Sequence, residues 1–198
     1  MEAVSSLAHT WVVSLVGLTI GATIGYVVGM FVTVLGLRPV YPLLSGLKAV
    51  PVTALLPLFM IVFGLQNMLI PMVALPVLAV VAVNVAEAGF RARNRRDHVK
   101  RAIGLTEVQF VRHVLFWETL EVSFASIRSM IPHAIALTVA LDYFLGILGA
   151  AGRSLEQYYN NYDYQMMVFY ALALAGMSAL SIFLLDQAAT RMLRWTTR

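Results

Sequence analysis

The chain has 198 residues, a formal net charge of +4 and no cysteine, and 60% of its residues are hydrophobic against 12% charged. Its mean hydropathy of +0.81 lies well above the range of soluble globular domains, and the lack of cysteine excludes disulfide frameworks, thiolate zinc sites and cysteine nucleophiles. The composition predicts one all-α integral membrane domain over residues 1–198, with room for about five spans of roughly 20 residues.

The first apolar run, 11–37, contains no charged residue. Its glycines recur at every fourth position, at Gly17, Gly21, Gly25 and Gly29. A four-residue spacing places small side chains on one helix face, where a second helix can approach closely. The run therefore predicts a span with one tightly packed face.

Two further apolar runs, 50–65 and 68–86, follow, and prolines interrupt both. Pro51 and Pro57 remove backbone donors in the second run and leave carbonyl groups that protein or water must satisfy inside a membrane. The third run contains the polar residue Asn84 near its end. We predict a span in each run, the second of them irregular.

The segment 87–117 is strongly basic and changes the character of the chain. Between positions 91 and 112 it carries seven of the fourteen Lys and Arg residues. Basic residues concentrate in cytoplasmic loops, so we predict a cytoplasmic loop here, with the N-terminus outside and the C-terminus inside. This topology also accounts for the net positive charge, which therefore does not indicate nucleic-acid binding.

Two more spans are predicted at 122–151 and 166–185. The first of them contains Arg128, His133 and Asp142, which are the candidate residues of a translocation pathway. Arg128 either forms an ion pair with Glu118 or Glu121, attracts an anionic substrate, or reaches to the inner interface. His133 is a packing residue or a proton carrier, and Asp142 is solvated at the outer interface or gates the external mouth.

The pattern of residues 98–117 predicts two short helices joined by a turn at Gly104, Leu105 and Thr106. Thr106 followed by Gln109 has the spacing of a capping box. Such a helix-turn-helix on the inner membrane face is either a docking surface or a solvated connector.

Several positions in this segment and beyond it fall on or near a known pattern, E-A-A-x-x-L-G-A-S-x-W-Q-x-F-x-x-V-V-L-P-x-x-L-P-x-I-x-x-G-L-R. They are Gly104, Leu105, Thr106, Gln109, Arg112, Val114, Leu115 and Arg128, with Asp142 on a later acidic position. Upstream, a second block is similar at Tyr41 to Leu44, Pro51, Leu55 to Pro57, and Phe63 to Gly64. In these residues the chain resembles bacterial ABC importer permeases of the sulfonate, taurine, nitrate and thiamine-precursor group.

The resemblance implies a type I importer transmembrane domain in the bacterial inner membrane, with about five helices and a cytoplasmic coupling helix. It implies contact with ATPase subunits, a second permease subunit of the same or another kind, and an external solute-binding protein. ATP and magnesium would be bound by the ATPase subunits, since this chain has no G-x-x-x-x-G-K-[ST] phosphate loop, and no metal site is expected. The implied ATPase-docking residues are His98, Lys100, Arg101, Gly104, Leu105, Thr106 and Gln109.

The chain departs from the family where the pattern has E-A-A, because His98, Val99 and Lys100 stand there. The glutamate that helps to seat the loop on the ATPase is therefore missing. Two other classes remain open: a channel or structural membrane subunit whose basic segment contacts lipid or a partner, and an intramembrane enzyme, for which no G-x-S-x-G or H-E-x-x-H motif is present.

Overall fold

The computed structural model describes residues 2–146 and 150–193, except the side chains of Glu2 and Gln66. The regular structure of these residues is helical, which confirms the all-α prediction. Arg194 and Arg198, near the C-terminus that is predicted to be inside, lie outside the described residues. The α-helices are α1 (Glu2–Val34), α2 (Tyr41–Ala49), α3 (Leu56–Asn67), α4 (Leu69–Ile103), α5 (Glu107–Phe110), α6 (Phe116–Leu145), α7 (Ala151–Asn160) and α8 (Tyr164–Met192).

Among the described residues, four helical stretches are long and apolar enough to cross a membrane. They are Ala3–Val34, Leu69–Ile103, Glu107–Leu145 and Tyr164–Met192. A bent pair, Arg38–Ala49 and Val52–Leu65, provides a fifth candidate span, with an angle of 87° between its halves. Four to five apolar helices agree with the predicted fold class.

Helices α1 and α4 pack closely and run parallel, with the glycine face of α1 against α4. Gly17 faces Val73 and Gly29 faces Val85, so the two helices stay in register over three turns. A Cβ atom at any of the four glycines would lie 2.4 to 2.8 Å from an atom of α4. The predicted close packing of this face is confirmed.

The bend between α2 and α3 lies at Val50 and Pro51. Val50 and Pro51 both adopt extended backbone angles, and a 3₁₀ helix, Val52–Leu55, leads into α3. Gly64 interrupts α3 with a φ of 72° that helical residues do not adopt. The irregularity predicted from the prolines is present, and it amounts to a sharp corner.

The segment predicted as a cytoplasmic loop, 87–117, is helical over most of its length. Helix α4 continues from its apolar part through the basic residues to Ile103, as one helix of 35 residues. After a turn, α5 and a π-helical turn, Val111–Leu115, lead directly into α6. The first of the two short helices predicted over 98–117 is therefore the end of α4, because charge marks the end of the apolar run but does not end a helix.

The helix that carries the predicted fourth span, 122–151, ends at Leu145. Gly146 follows it in the left-handed conformation, with φ 62° and ψ 34°, which is typical of a helix C-terminus. Helix α7 begins at Ala151, the last residue of the predicted fourth span, and lies before the predicted fifth span at 166–185. We call the end of the bundle that carries Gly104 the inner end, and the end that carries α7 the outer end.

Candidate functional site: an inner turn and a polar helix face

The turn at the inner end, Gly104 to Thr106, joins two helices that continue to the other end of the bundle. Gly104 adopts a left-handed conformation with φ 72° and ψ 30°, and its N–H donates to the carbonyl of Lys100. The Thr106 N–H donates to Gln109 Oε1 at 3.0 Å, and the Gln109 N–H donates to Thr106 Oγ1 at 3.4 Å. These two bonds confirm the predicted capping box, and the predicted tight turn at Gly104 is also present.

Glu107 connects the turn to α4 through ion pairs, and this role was not predicted from the sequence. Its carboxylate forms ion pairs with both Arg93 and Lys100 of α4. An acidic residue in the first turn of a helix, next to a basic segment, was the available signal. Exposed ion pairs contribute little individually, but two pairs on one carboxylate restrict the direction of α5.

Phe110 packs the turn against the bundle. Its side chain is buried against Ala92 and Leu115, with Leu105 packed at the edge of this cluster. A buried phenylalanine contributes more to stability than the exposed ion pairs around it. The turn is therefore held by apolar burial and oriented by charge.

Two large apolar side chains project from the tip of the turn. Ile103 is 68% exposed and Val108 is 76% exposed, on either side of Gly104 to Thr106. Both lie beyond the basic part of α4, where the family resemblance expects cytoplasm rather than lipid. Two large apolar side chains exposed on one turn make this tip a candidate contact surface for another protein.

The predicted docking residues surround this tip, but two of them are engaged within the chain. Lys100 pairs with Glu107, and Arg101 pairs with Asp97. His98 is exposed, as are Gly104, Thr106 and Gln109, whereas Leu105 is half-buried. The exposed part of the predicted surface is therefore largely uncharged.

A chain of polar groups crosses the inner half of the membrane region, and the sequence reasoning did not assemble it. Lys48 Nζ of α2 donates to Asn84 Oδ1 of α4 at 2.9 Å. Asn84 Nδ2 donates to Ser126 Oγ of α6, also at 2.9 Å. The chain links three helices, and within the described residues Lys48 has no carboxylate partner.

Arg128 pairs with Asp186 of α8, at 3.3 Å between Nη2 and Oδ2. This corrects the expectation of a partner at Glu118 or Glu121. Glu118 instead accepts from Arg96 Nε at 2.6 Å. A helix-to-helix pair neutralises Arg128, so its charge is less available to a substrate than the sequence suggested.

His133 lies on an exposed face of α6 with Ser129, one turn away. Its Nδ1 is 3.1 Å from the Ser129 carbonyl oxygen of the same helix. Beside this face, α6 and α8 enclose an apolar groove of about 790 Å³ that includes Pro132 and Tyr143. The structure does not bring His133 together with Arg128 or Asp142, so the three predicted pathway residues form no single site.

Asp142 is fully buried at the outer end and is neither solvated nor at an external mouth. Thr10 Oγ1 of α1 donates to Asp142 Oδ2 at 2.9 Å and accepts from the Ala151 N–H at 3.0 Å. Asp142 Oδ1 has no hydrogen-bond partner among the described residues. The role of this group is to join α1, α6 and the start of α7.

Replacing Thr10 by valine should therefore destabilise the outer end. Valine has the same shape but can neither donate to Asp142 nor accept from Ala151, which leaves two buried polar groups without their partner. The expected loss is about 2 kcal/mol, which corresponds to a fall of about 4 to 8 °C in Tm for a chain of this size. Thermal unfolding in detergent measures it, with Thr10→Ser as the control that keeps the hydroxyl; an unchanged Tm in the valine variant would contradict the bonding described here.

Comparison with known proteins agrees with this architecture. Residues 17–198 match the family model described as binding-protein-dependent transport system inner membrane component. Among solved structures, the chain is similar to a chain of the MetNI methionine ABC transporter in inward facing conformations, CY5 native crystal form. The TM-score is 0.75, with 21% sequence identity over 98% of this chain and 96% of that chain.

That degree of identity shows a shared fold and nothing finer about the cargo. No curated protein sequence matches the chain. The family model, however, covers residues 17–198, which include the inner turn and the residues Arg128, His133 and Asp142 of α6. The chain belongs to the family of inner membrane components of binding-protein-dependent transport systems.

Proposed function

We propose that this chain is the membrane-spanning permease subunit of an ATP-driven importer for a small solute, and that the turn from Ile103 to Gln109 is its contact with the ATPase subunit. The observation that carries the docking proposal is the exposure of Ile103 and Val108 at the tip of a turn held by Phe110 and Glu107. Energy then comes from the partner chain, since the sequence has no phosphate-binding loop.

The architecture supports a lever mechanism. Helix α4 and the continuous stretch Glu107–Leu145 both run from the turn through the membrane region. A force applied at the turn by ATP-driven closure of the ATPase is transmitted along two stiff helices to the polar groups between them. An equilibrium between inward and outward states shifts only if the ATPase binds the two states with different affinity.

The structure also suggests how the contact works without the family's E-A-A glutamate. His98, Val99 and Lys100 stand at those positions, and Lys100 is engaged by Glu107. Apolar burial of Ile103 and Val108 supplies affinity that does not depend on a charge at the missing position. We therefore propose that the contact is mainly hydrophobic at its centre.

For the solute, we propose a small anion such as a sulfonate or nitrate, or a thiamine precursor. Lys48 supports this choice, because its ammonium lies within the polar chain of α2, α4 and α6 without a carboxylate partner among the described residues. The similar MetNI structure is titled a methionine transporter, so methionine is the second candidate cargo. A second permease subunit and an external solute-binding protein complete the proposed complex.

The experiment is reconstitution of the chain with the subunits that co-purify with it. ATP-dependent uptake of nitrate, taurine, a thiamine precursor and L-methionine would be compared in proteoliposomes with the external binding protein supplied. ATP-dependent uptake of any one of them supports the importer, and the identity of that solute decides the class. Solute flux without ATP, or no flux and no co-purifying ATPase, would instead favour the channel or structural membrane subunit.

A further inference from the structure

A groove of about 600 Å³ opens between α4 and α6 at the inner end, separate from the tip of the turn. Its apolar base includes Ala88, Ala92 and Val122, and its polar wall carries three arginines, two glutamates and His98, one of the implied ATPase-docking residues. The proposed ATPase contact, from Ile103 to Gln109, does not include the residues that line the groove. The arginines are Arg91, Arg95 and Arg96, and the glutamates are Glu118 and Glu121.

Most of these charges are already paired within the chain. Arg91 pairs with Glu87 of the same helix, and Arg96 pairs with Glu118 across the groove. Arg95 and Glu121 remain, and neither has an ion-pair partner in the part of the chain that the structure describes. Arg95 and Glu121 therefore line the same groove without forming an ion pair with each other.

The groove lies at the depth of lipid headgroups. Helix α4 carries no charged residue from Leu69 to Ala86. A membrane's hydrocarbon core is about 30 Å thick, which corresponds to about 20 helical residues. If this stretch begins at Leu69, the hydrocarbon core ends near Ala88. Arg95 is about two helical turns farther on, roughly 10 Å along the axis, and a long arginine side chain spans much of that distance. On α6, Glu121 directly precedes the apolar run, so both free charges lie near the membrane surface.

We propose that this groove binds the headgroup of phosphatidylethanolamine, a zwitterionic phospholipid that carries a primary ammonium. The Arg95 guanidinium binds the phosphate, Glu121 accepts hydrogen bonds from the ammonium, and the acyl chains extend over Ala88 and Val122. A phosphatidylglycerol headgroup offers Glu121 only uncharged hydroxyl donors in place of an ammonium, and a phosphatidylcholine headgroup has no N–H to donate to it. The proposal depends on membrane insertion and is independent of the solute carried.

The test is native mass spectrometry of the full chain, purified with its co-assembled subunits and exchanged into detergent with equal amounts of the three phospholipids. Loss of one charge-assisted contact changes affinity by about tenfold. Wild-type protein should therefore retain phosphatidylethanolamine about tenfold over each of the other two. Equal retention of the three lipids would overturn the proposal and leave the groove to a protein partner.

Three variants make the result specific to the two charges. Arg95→Ala should reduce retention of phosphatidylethanolamine about tenfold, and Glu121→Gln should remove its advantage over phosphatidylglycerol and phosphatidylcholine. Arg112→Ala is the matched control, because Arg112 is an exposed arginine at the same end, outside the groove and without an ion pair in the described part of the chain. Wild-type retention of phosphatidylethanolamine in Arg95→Ala, or wild-type selectivity in Glu121→Gln, would overturn the assignment, as would an equal loss in Arg112→Ala.

Discussion

Replacing Gly104 by valine is expected to abolish ATP-driven uptake while leaving the membrane helices folded. Gly104 has φ 72°, and a β-branched residue is strained in that conformation. No atom outside its own chain neighbours lies within 4 Å of the position where a Cβ would be placed, so the effect is conformational rather than steric. Relieving the strain reorients the turn and moves Ile103 and Val108 away from the contact that we propose for them.

The left-handed conformation itself costs a non-glycine residue about 1 to 2 kcal/mol. This cost is small for the whole bundle, but it acts on the turn that we propose as the contact with the ATPase. Uptake should therefore fall by more than tenfold, and less ATPase subunit should remain bound during purification. The control is Gly104→Asn, since asparagine tolerates this conformation, and it should retain most uptake. Full uptake in the valine variant would contradict the role of the turn, whereas a fall in Tm of more than about 5 °C would show that the fold itself is damaged.

Replacing Gly21 by alanine is expected to separate α1 from α4. The new Cβ would lie 2.4 Å from the carbonyl oxygen of Ala74 and 3.0 Å from its Cα. Backbone atoms in the middle of a helix cannot rotate away, so the two helices must move apart along the whole glycine face. The cost is about 3 kcal/mol, the upper part of the usual range for overpacking, or about 6 to 12 °C in Tm.

The matched control is Gly176→Ala in α8, where no atom lies within 4 Å of the new Cβ. Alanine is favoured over glycine in a helix by about 1 kcal/mol, so the Tm of this variant should stay the same or rise. Both variants add one methyl group to a helical glycine, and they differ in what the methyl group meets. Equal Tm values for the two would show that the close α1–α4 packing does not support the fold.

The features that could be predicted from sequence are local ones. The spacing of Gly17, Gly21, Gly25 and Gly29 shows a helix face directly, because the helical period is fixed by geometry. The Thr106 and Gln109 pair forms a capping box within four residues, and Gly104 marks a left-handed turn. None of these depends on where the rest of the chain lies.

The features that could not be predicted join residues that are distant in sequence. The partner of Arg128 is Asp186 on another helix, and the partner of Asp142 is Thr10, 132 positions away. Helical periodicity places a side chain on a face but does not say which helix covers that face. The exposure of Ile103 and Val108 could not be predicted for the same reason, since the sequence of a basic segment does not show whether its apolar residues are exposed or buried.

The most direct test of the central claim is a cross-link from the tip of the turn. The chain has no cysteine, so Val108→Cys introduces a single thiol, and Tyr162→Cys provides a control at the outer end with the same 76% exposure. A thiol-reactive cross-linker with an amine-reactive second arm would be applied to membranes of the native host, and the products identified by peptide mass spectrometry. The account predicts that Val108→Cys captures a subunit with a G-x-x-x-x-G-K-[ST] motif and that Tyr162→Cys does not. The account would be contradicted if position 108 captured only lipid-exposed or unrelated proteins, or if both positions captured the ATPase equally.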